Sequence, residues 1–232
     1  MTTHRFFVEP AAMVGERFPL PAEIAHQVRR VLRLEDDEEI VLLDGGGEEV
    51  RCRLDRDDCV VLSRGAAGGE PRHRLTVWQA LLRGDHMEPV IRHGTEIGIA
   101  RFGLFVSERS VAREVSSRRL ERLRAIAREA AEQSERGMVP PVEPPVSMVE
   151  AVAAVATGSV LLYERHAGLR LTELPLPPDL VIGPEGGFTA DEVAAAEGAG
   201  LTIAGLGPRI LRSETVAMAA AAVILSRTGD FA

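Results

Sequence analysis

Two segments of this 232-residue chain combine residue types that could build a ligand site. The first reads Leu180-Val181-Ile182-Gly183-Pro184-Glu185-Gly186-Gly187-Phe188-Thr189. An apolar strand runs into a loop with three glycines and then into a capped helix start. Glycines let a ligand approach the backbone closely, and the fixed φ of Pro184 stiffens the turn, so main-chain groups alone could hold a cofactor. Such a loop lies at the carboxyl end of a strand, where open α/β sheets bind ligands. Neither GxGxxG nor GxxxxGKS/T occurs, which argues against a Rossmann dinucleotide site and a Walker phosphate loop. Taken alone, the pattern equally suits a tight strand-to-helix connection. The second segment, Leu206-Gly207-Pro208-Arg209-Ile210-Leu211-Arg212-Ser213-Glu214-Thr215, brings a glycine turn, two arginines and a hydroxyl N-cap to another such junction.

Other residue types point to no chemistry. Cys52 and Cys59 are separated by six residues, which is neither a CxxC pair nor a zinc framework, and they read as reduced packing residues. His86 and His93 could share a helix face, but no carboxylate or cysteine set completes a metal site. Met1–Pro10 lacks the apolar stretch of a signal peptide, so no secretion is expected. The apolar run Val216–Leu225 is too short to cross a membrane and reads as a buried helix.

The elements that must position the two segments follow from periodicity. Ala22–Leu32 reads as a helix with Ile24, Val28, Val31 and Leu32 on one face. Ile40–Leu43, Val50–Leu54 and Cys59–Leu62 read as short strands joined by Asp44-Gly45-Gly46-Gly47 and Asp55-Arg56-Asp57-Asp58. Residues 65–71 have a linker's composition, which places a boundary between a small β-rich domain, 1–71, and a second domain, 72–232. From Leu75 the rhythm becomes strand, helix, strand, helix: strands at Leu75–Leu82, Phe102–Val106, Val160–Tyr163 and Leu180–Ile182, and a helix over Leu120–Gln133. Capping-box spacings occur at Asp85/Glu88, Ser147/Glu150 and Thr189/Glu192, and Ser213 opens the last helix. This alternation predicts an α/β fold with a parallel sheet covered on both faces.

The net charge of -8 is unlike that of a domain that grips phosphates. Residues 1–72 carry 10 Arg against 15 acids, so any nucleic-acid contact must rest on a local patch. Arg109–Arg136, with 8 Arg against 5 acids, is the best candidate, although a solvated, ion-paired helix would look the same.

Taken together, the two loop segments resemble the cofactor loops of the RsmE family, bacterial methyltransferases acting on N3 of a uridine in 16S ribosomal RNA. His4-Arg5-Phe6-Phe7-Val8, the helix His26–Arg33, Gly84-Asp85-His86-Met87-Glu88, Thr95-Glu96-Ile97-Gly98, Ser107-Glu108-Arg109-Ser110 and Glu129–Arg136 resemble further family blocks in the same order. The family commonly has lysine where this chain has Arg83 and His93, a basic residue at His86, and alanine at Val216.

The resemblance implies a PUA-like β-barrel followed by a SPOUT domain with a trefoil knot, a cytoplasmic homodimer, no membrane and no metal. It implies S-adenosylmethionine as cofactor, with 16S rRNA or the 30S subunit as partner. The donor would be held by Leu162, Ile182, Gly183, Pro184, Glu185, Gly186, Gly187, Leu206, Gly207, Ile210, Leu211, Arg212 and Thr215. Arg209 and Arg212 would stabilise charge on the deprotonated uracil, with Glu185 or Glu214 as candidate base. RNA would meet Arg5, Arg29, Arg30, Arg83, Arg109, Arg118, Arg119, Gln133 and Arg136. A SPOUT enzyme acting on another RNA, or an RNA-binding or assembly module without catalysis, remain the alternatives.

Overall fold

The structure, a computed structural model, describes residues 4–165 and 168–231. The chain divides into two compact units, Met1–Glu70 with Ala131–Val139, and Pro71–Ala130 with Pro140–Ala232.

The first unit is built on strands β1 (His4–Phe7), β2 (Arg17–Pro19), β3 (Glu39–Leu43), β4 (Glu48–Asp55) and β5 (Asp58–Ala66). They form a sheet in the order β1-β3-β4-β5-β2, antiparallel except for the β1–β3 pair. Along β4, Val50, Cys52 and Leu54 are buried while Arg51 and Arg53 face solvent, the alternation of a strand with one wet face. Asp44 Oδ1 accepts from the Gly46 and Glu48 amides, and Gly45 and Gly47 take positive φ, so the β3–β4 turn forms as its sequence dictates. Gly65 and Ala66, read above as linker, instead extend β5 and pair with Glu49 and Glu48.

The expected helix over Ala22–Leu32 is α1 (Ala22–His26) followed by a π-helical turn, Gln27–Val31. Ile24 and Val28 enter the core as expected, but Val31 is 63% exposed. The wider turn, closed by Leu32 N–H donating to Gln27 O, rotates Val31 off the apolar face. Cys52 and Cys59 are free and buried in this core. A hydrogen bond with Cys52, together with burial, pushes the Cys59 thiol well above its ordinary range.

The second unit holds β6 (Thr76–Ala80), β7 (Arg101–Val106), β8 (Val146–Ser147), β9 (Val160–Leu162), β10 (Asp179–Ile182) and β11 (Thr202–Ala204). Their order is β11-β9-β10-β6-β7-β8, with every pairing parallel. The helices are α2 (Met87–Ile97), α3 (Ser117–Gln133, ending within the first unit's share), α4 (Met148–Ala154), α5 (Ala190–Gly198) and α6 (Ser213–Ser226). Trp78, Phe105, Leu161 and Val181 pack with Ala151 of α4 and Ala196 of α5 on one face. Gln79 and Phe102 point to the other, toward Ser213 of α6 and Gly94 of α2. A sheet covered on both faces explains why its strands are apolar without alternation.

Ser147 and Thr189 form the expected capping boxes with Glu150 and Glu192. Asp85 does not cap α2: the N-cap is His86, without a side-chain hydrogen bond. Ser213 is likewise no cap. Its hydroxyl donates to Gly183 O at 2.5 Å, because that carbonyl is buried and otherwise lacks a strong donor.

Candidate functional site

The carboxyl ends of β6, β9, β10 and β11 open onto a cavity of about 550 Å³, within the size range of small-molecule sites. Its walls are four stretches of chain: Arg83 and His86 after β6, Leu162–Arg165 after β9, Ile182–Phe188 after β10, and Leu206 to Glu214 with Val216 around the start of α6. Leu162, Ile182, Gly183, Pro184, Glu185, Gly186, Gly187, Leu206, Gly207, Arg209, Ile210, Leu211, Arg212 and Arg83, all named from sequence, therefore share one cavity. Thr215 does not line it; it sits in the first turn of α6, with its N–H donating to Arg212 O.

Local packing shapes the glycine loop. Gly187 N–H donates to Pro184 O, and Gly187 takes φ +68°. A Cβ there would come within 2.8 Å of Glu164 Oε1. At Gly183 a Cβ would meet the Phe188 ring at 3.0 Å, and that ring stacks on Phe105 with centroids 6.3 Å apart. A Cβ at Gly186 would meet Arg109 Cβ at 3.0 Å.

Arg109 is the outside brace of the loop, its guanidinium donating to the Gly186 and Phe188 carbonyls. Glu192 extends the brace: besides closing its capping box, it accepts from the Ser107 hydroxyl and the Glu108 amide. From below, Gln79 Nε2 donates to Ser213 Oγ at 2.8 Å, and Ser213 donates on to Gly183 O. This fully buried relay joins β6, the glycine loop and α6, and leaves Gln79 Oε1 without a hydrogen-bond partner. Gln79, and the contact between Ser107 and Glu192, escaped sequence reasoning because each acts through a partner more than eighty residues away.

Charge inside the cavity is mixed. Arg83, Arg209 and Arg212 face Glu164, Glu185 and Glu214, and His86 Nδ1 lies 3.5 Å from Glu214 Oε1. Glu185 accepts the Arg83 amide at 3.0 Å, which ties the β6 exit to the glycine loop. Ile210 is 80% exposed on the rim, apolar surface that a ligand would cover.

The residues named for RNA scatter. Arg136 is 2% exposed in its side chain and gives two hydrogen bonds to Glu70, so it is structural and no RNA contact. Arg5 pairs with Glu49, and Arg29 is spent on Leu34 O, Asp36 and Arg56 O. Arg119 donates to Gly84 O, and Arg109 braces the loop. Arg30, Arg118 and Gln133 are exposed, and Arg83 lines the cavity. Arginine's fork satisfies carbonyls and carboxylates as readily as phosphates, which is why type alone did not separate the two uses. Among the described residues, no group of three or more metal-ligating side chains occurs, and no helix is long and apolar enough to cross a membrane.

Residues 69–225 match the family model described as an RNA methyltransferase domain. The chain is 34% identical to the ribosomal RNA small subunit methyltransferase E of Synechocystis, covering 95% of this chain and 77% of that protein. It is 32% identical to the Bacillus subtilis protein of that name, covering 97% and 96%. Among solved structures it resembles the Neisseria gonorrhoeae methyltransferase E bound to S-adenosyl methionine, with TM-score 0.89, 31% identity and all of both chains covered.

Proposed function

Because the chain belongs to the RNA methyltransferase family, in its small subunit methyltransferase E branch, we propose that it transfers a methyl group from S-adenosylmethionine to N3 of a uridine in 16S ribosomal RNA. The observation that carries this reading is the convergence of both cofactor-loop segments on one cavity at the carboxyl edge of a parallel sheet.

The residues present fit the donor. Leu162, Ile182, Leu206 and Ile210 offer apolar surface for an adenine, the 183–187 main chain offers close polar groups, and Glu164 offers a carboxylate for a cationic ligand. When bound, S-adenosylmethionine supplies an electrophilic methyl on a sulfonium. The chain's own residues hold and orient the reactants. Arg209 and Arg212 face the cavity, where negative charge developing on the uracil oxygens would be neutralised. Glu214 lies in the first turn of α6.

The same reading extends to a PUA-like barrel for the first unit, a SPOUT domain with a trefoil knot for the second, and a cytoplasmic homodimer. The apolar character of α6 around its whole circumference suits an isologous interface.

Mass spectrometry of 16S rRNA from a strain lacking the gene should show loss of one 3-methyluridine, restored by this chain. An unchanged nucleotide inventory would refute the proposal. For the donor, Gly187→Val should lower S-adenosylmethionine affinity at least tenfold, about 1.4 kcal/mol, since a side chain there needs a strained φ and displaces Glu164. Unchanged calorimetric affinity in the folded variant would remove the glycine loop from the donor site.

A further inference from the structure

On the reading just given, a proton must leave uridine N3 before the nitrogen can attack, and the cavity must hold a group to take it. The carboxylates lining the cavity are engaged otherwise: Glu164 pairs with Arg165 at 3.7 Å. Glu185 accepts the Arg83 amide. Glu214, 15% exposed and in the first turn of α6, has its Oε1 turned to His86. Among the described residues lining the cavity, His86 carries the imidazole, the side-chain type that exchanges its proton near neutral pH. It is 37% exposed, and its Nδ1 faces Glu214 Oε1 at 3.5 Å. A carboxylate at Nδ1 favours the proton on that nitrogen and leaves Nε2 as the acceptor.

We propose that His86 is the general base that removes the N3 proton, with Glu214 as its positioning residue. Nε2 takes the proton, and the released N3 electron pair forms the N–CH3 bond. The methyl–sulfur bond breaks with its electron pair left on sulfur, and the imidazolium returns its proton to solvent. The charged groups that share the cavity with the ring are Glu164, Glu185 and Glu214 and the guanidinium groups of Arg83, Arg165, Arg209 and Arg212. Asp85 precedes His86 in sequence, and the Arg119 guanidinium is bound at Gly84 O.

The test uses the full chain, small ribosomal subunits from a strain lacking the gene, and single-turnover methyl transfer across pH 6 to 9. His86→Gln should be about a hundredfold slower at pH 7, with calorimetric donor affinity within twofold. Its rate should then climb about tenfold per pH unit as solvent hydroxide replaces the base, a steeper dependence than that of the unsubstituted chain. Equal pH profiles, loss of donor binding in step with rate, or full rescue by His86→Lys would each overturn the assignment. Nitrogen NMR of histidine-labelled protein gives a readout independent of activity. The Nδ1-protonated tautomer is expected, and should be lost in Glu214→Ala. An Nε2-protonated ring sinks the proposal even if the RNA target is another nucleotide, whereas absence of 3-methyluridine with the expected tautomer sinks only the reading of the substrate.

Discussion

Arg136→Ala is expected to cost the first unit about 3 kcal/mol, the low end of the range for breaking one side of a buried ion pair, because Glu70 is 24% exposed. The guanidinium is 2% exposed, and it donates through Nε and Nη2 to the two oxygens of Glu70, whose Oε1 also accepts the Met138 amide. Truncation leaves a carboxylate with one backbone donor and a cavity the size of a long side chain. The loss should appear as a lowered urea midpoint. Because the cost comes from stranding a charge, Arg136→Met combined with Glu70→Leu should recover most of it, by the logic of a double-mutant cycle. A loss under about 1 kcal/mol for Arg136→Ala would mean that the pair is no more than a surface contact. The sequence places this arginine in an arginine-rich stretch suited to RNA, so the outcome also separates folding from binding.

Truncating Arg209 or Arg212 to Ala should slow methyl transfer roughly a hundredfold while leaving donor affinity within twofold. Loss of a donor aimed at a developing oxyanion has this size. Both side chains line the cavity, three positions apart ahead of α6, where the helix terminus already favours negative charge. A uridine losing its N3 proton gains charge on its oxygens. The methyl donor is cationic at sulfur, so a guanidinium beside the methyl being transferred does nothing for donor binding there. Single-turnover rates set beside calorimetric affinities separate the two roles. A variant that loses both together would assign the arginine to the donor pocket.

Much of the site could be read in advance where local chemistry forces local structure. Three glycines and a proline between an apolar strand and Thr189 permit little besides a tight loop with accessible backbone, and the loop lies where expected. The Ser147 and Thr189 capping boxes formed because Glu stands three residues on in each case. The same spacing failed at Asp85, where the chain leaving β6 is held by Glu185 and the helix starts at Met87, behind His86 as an N-cap without a side-chain hydrogen bond. Local spacing decides a cap only when nothing distant competes for the backbone.

By itself the sequence determined the alternation of apolar strands and helices from Leu75 onward, and hence the buried parallel sheet, since periodicity and burial are set residue by residue. It also set the glycine and proline positions of the two loops that line the cavity. Tertiary structure decided how the arginines divide. Arg136 went to Glu70, Arg109 to the carbonyls of the glycine loop, and Arg209 and Arg212 to the cavity. It also decided that Ser213 would relay Gln79 to Gly183 in place of capping α6, and that His86 would meet Glu214 across 128 residues of chain. A guanidinium, a hydroxyl or an imidazole has several partners of similar strength. Which one it takes depends on the groups that folding brings within about 3 Å and shields from water.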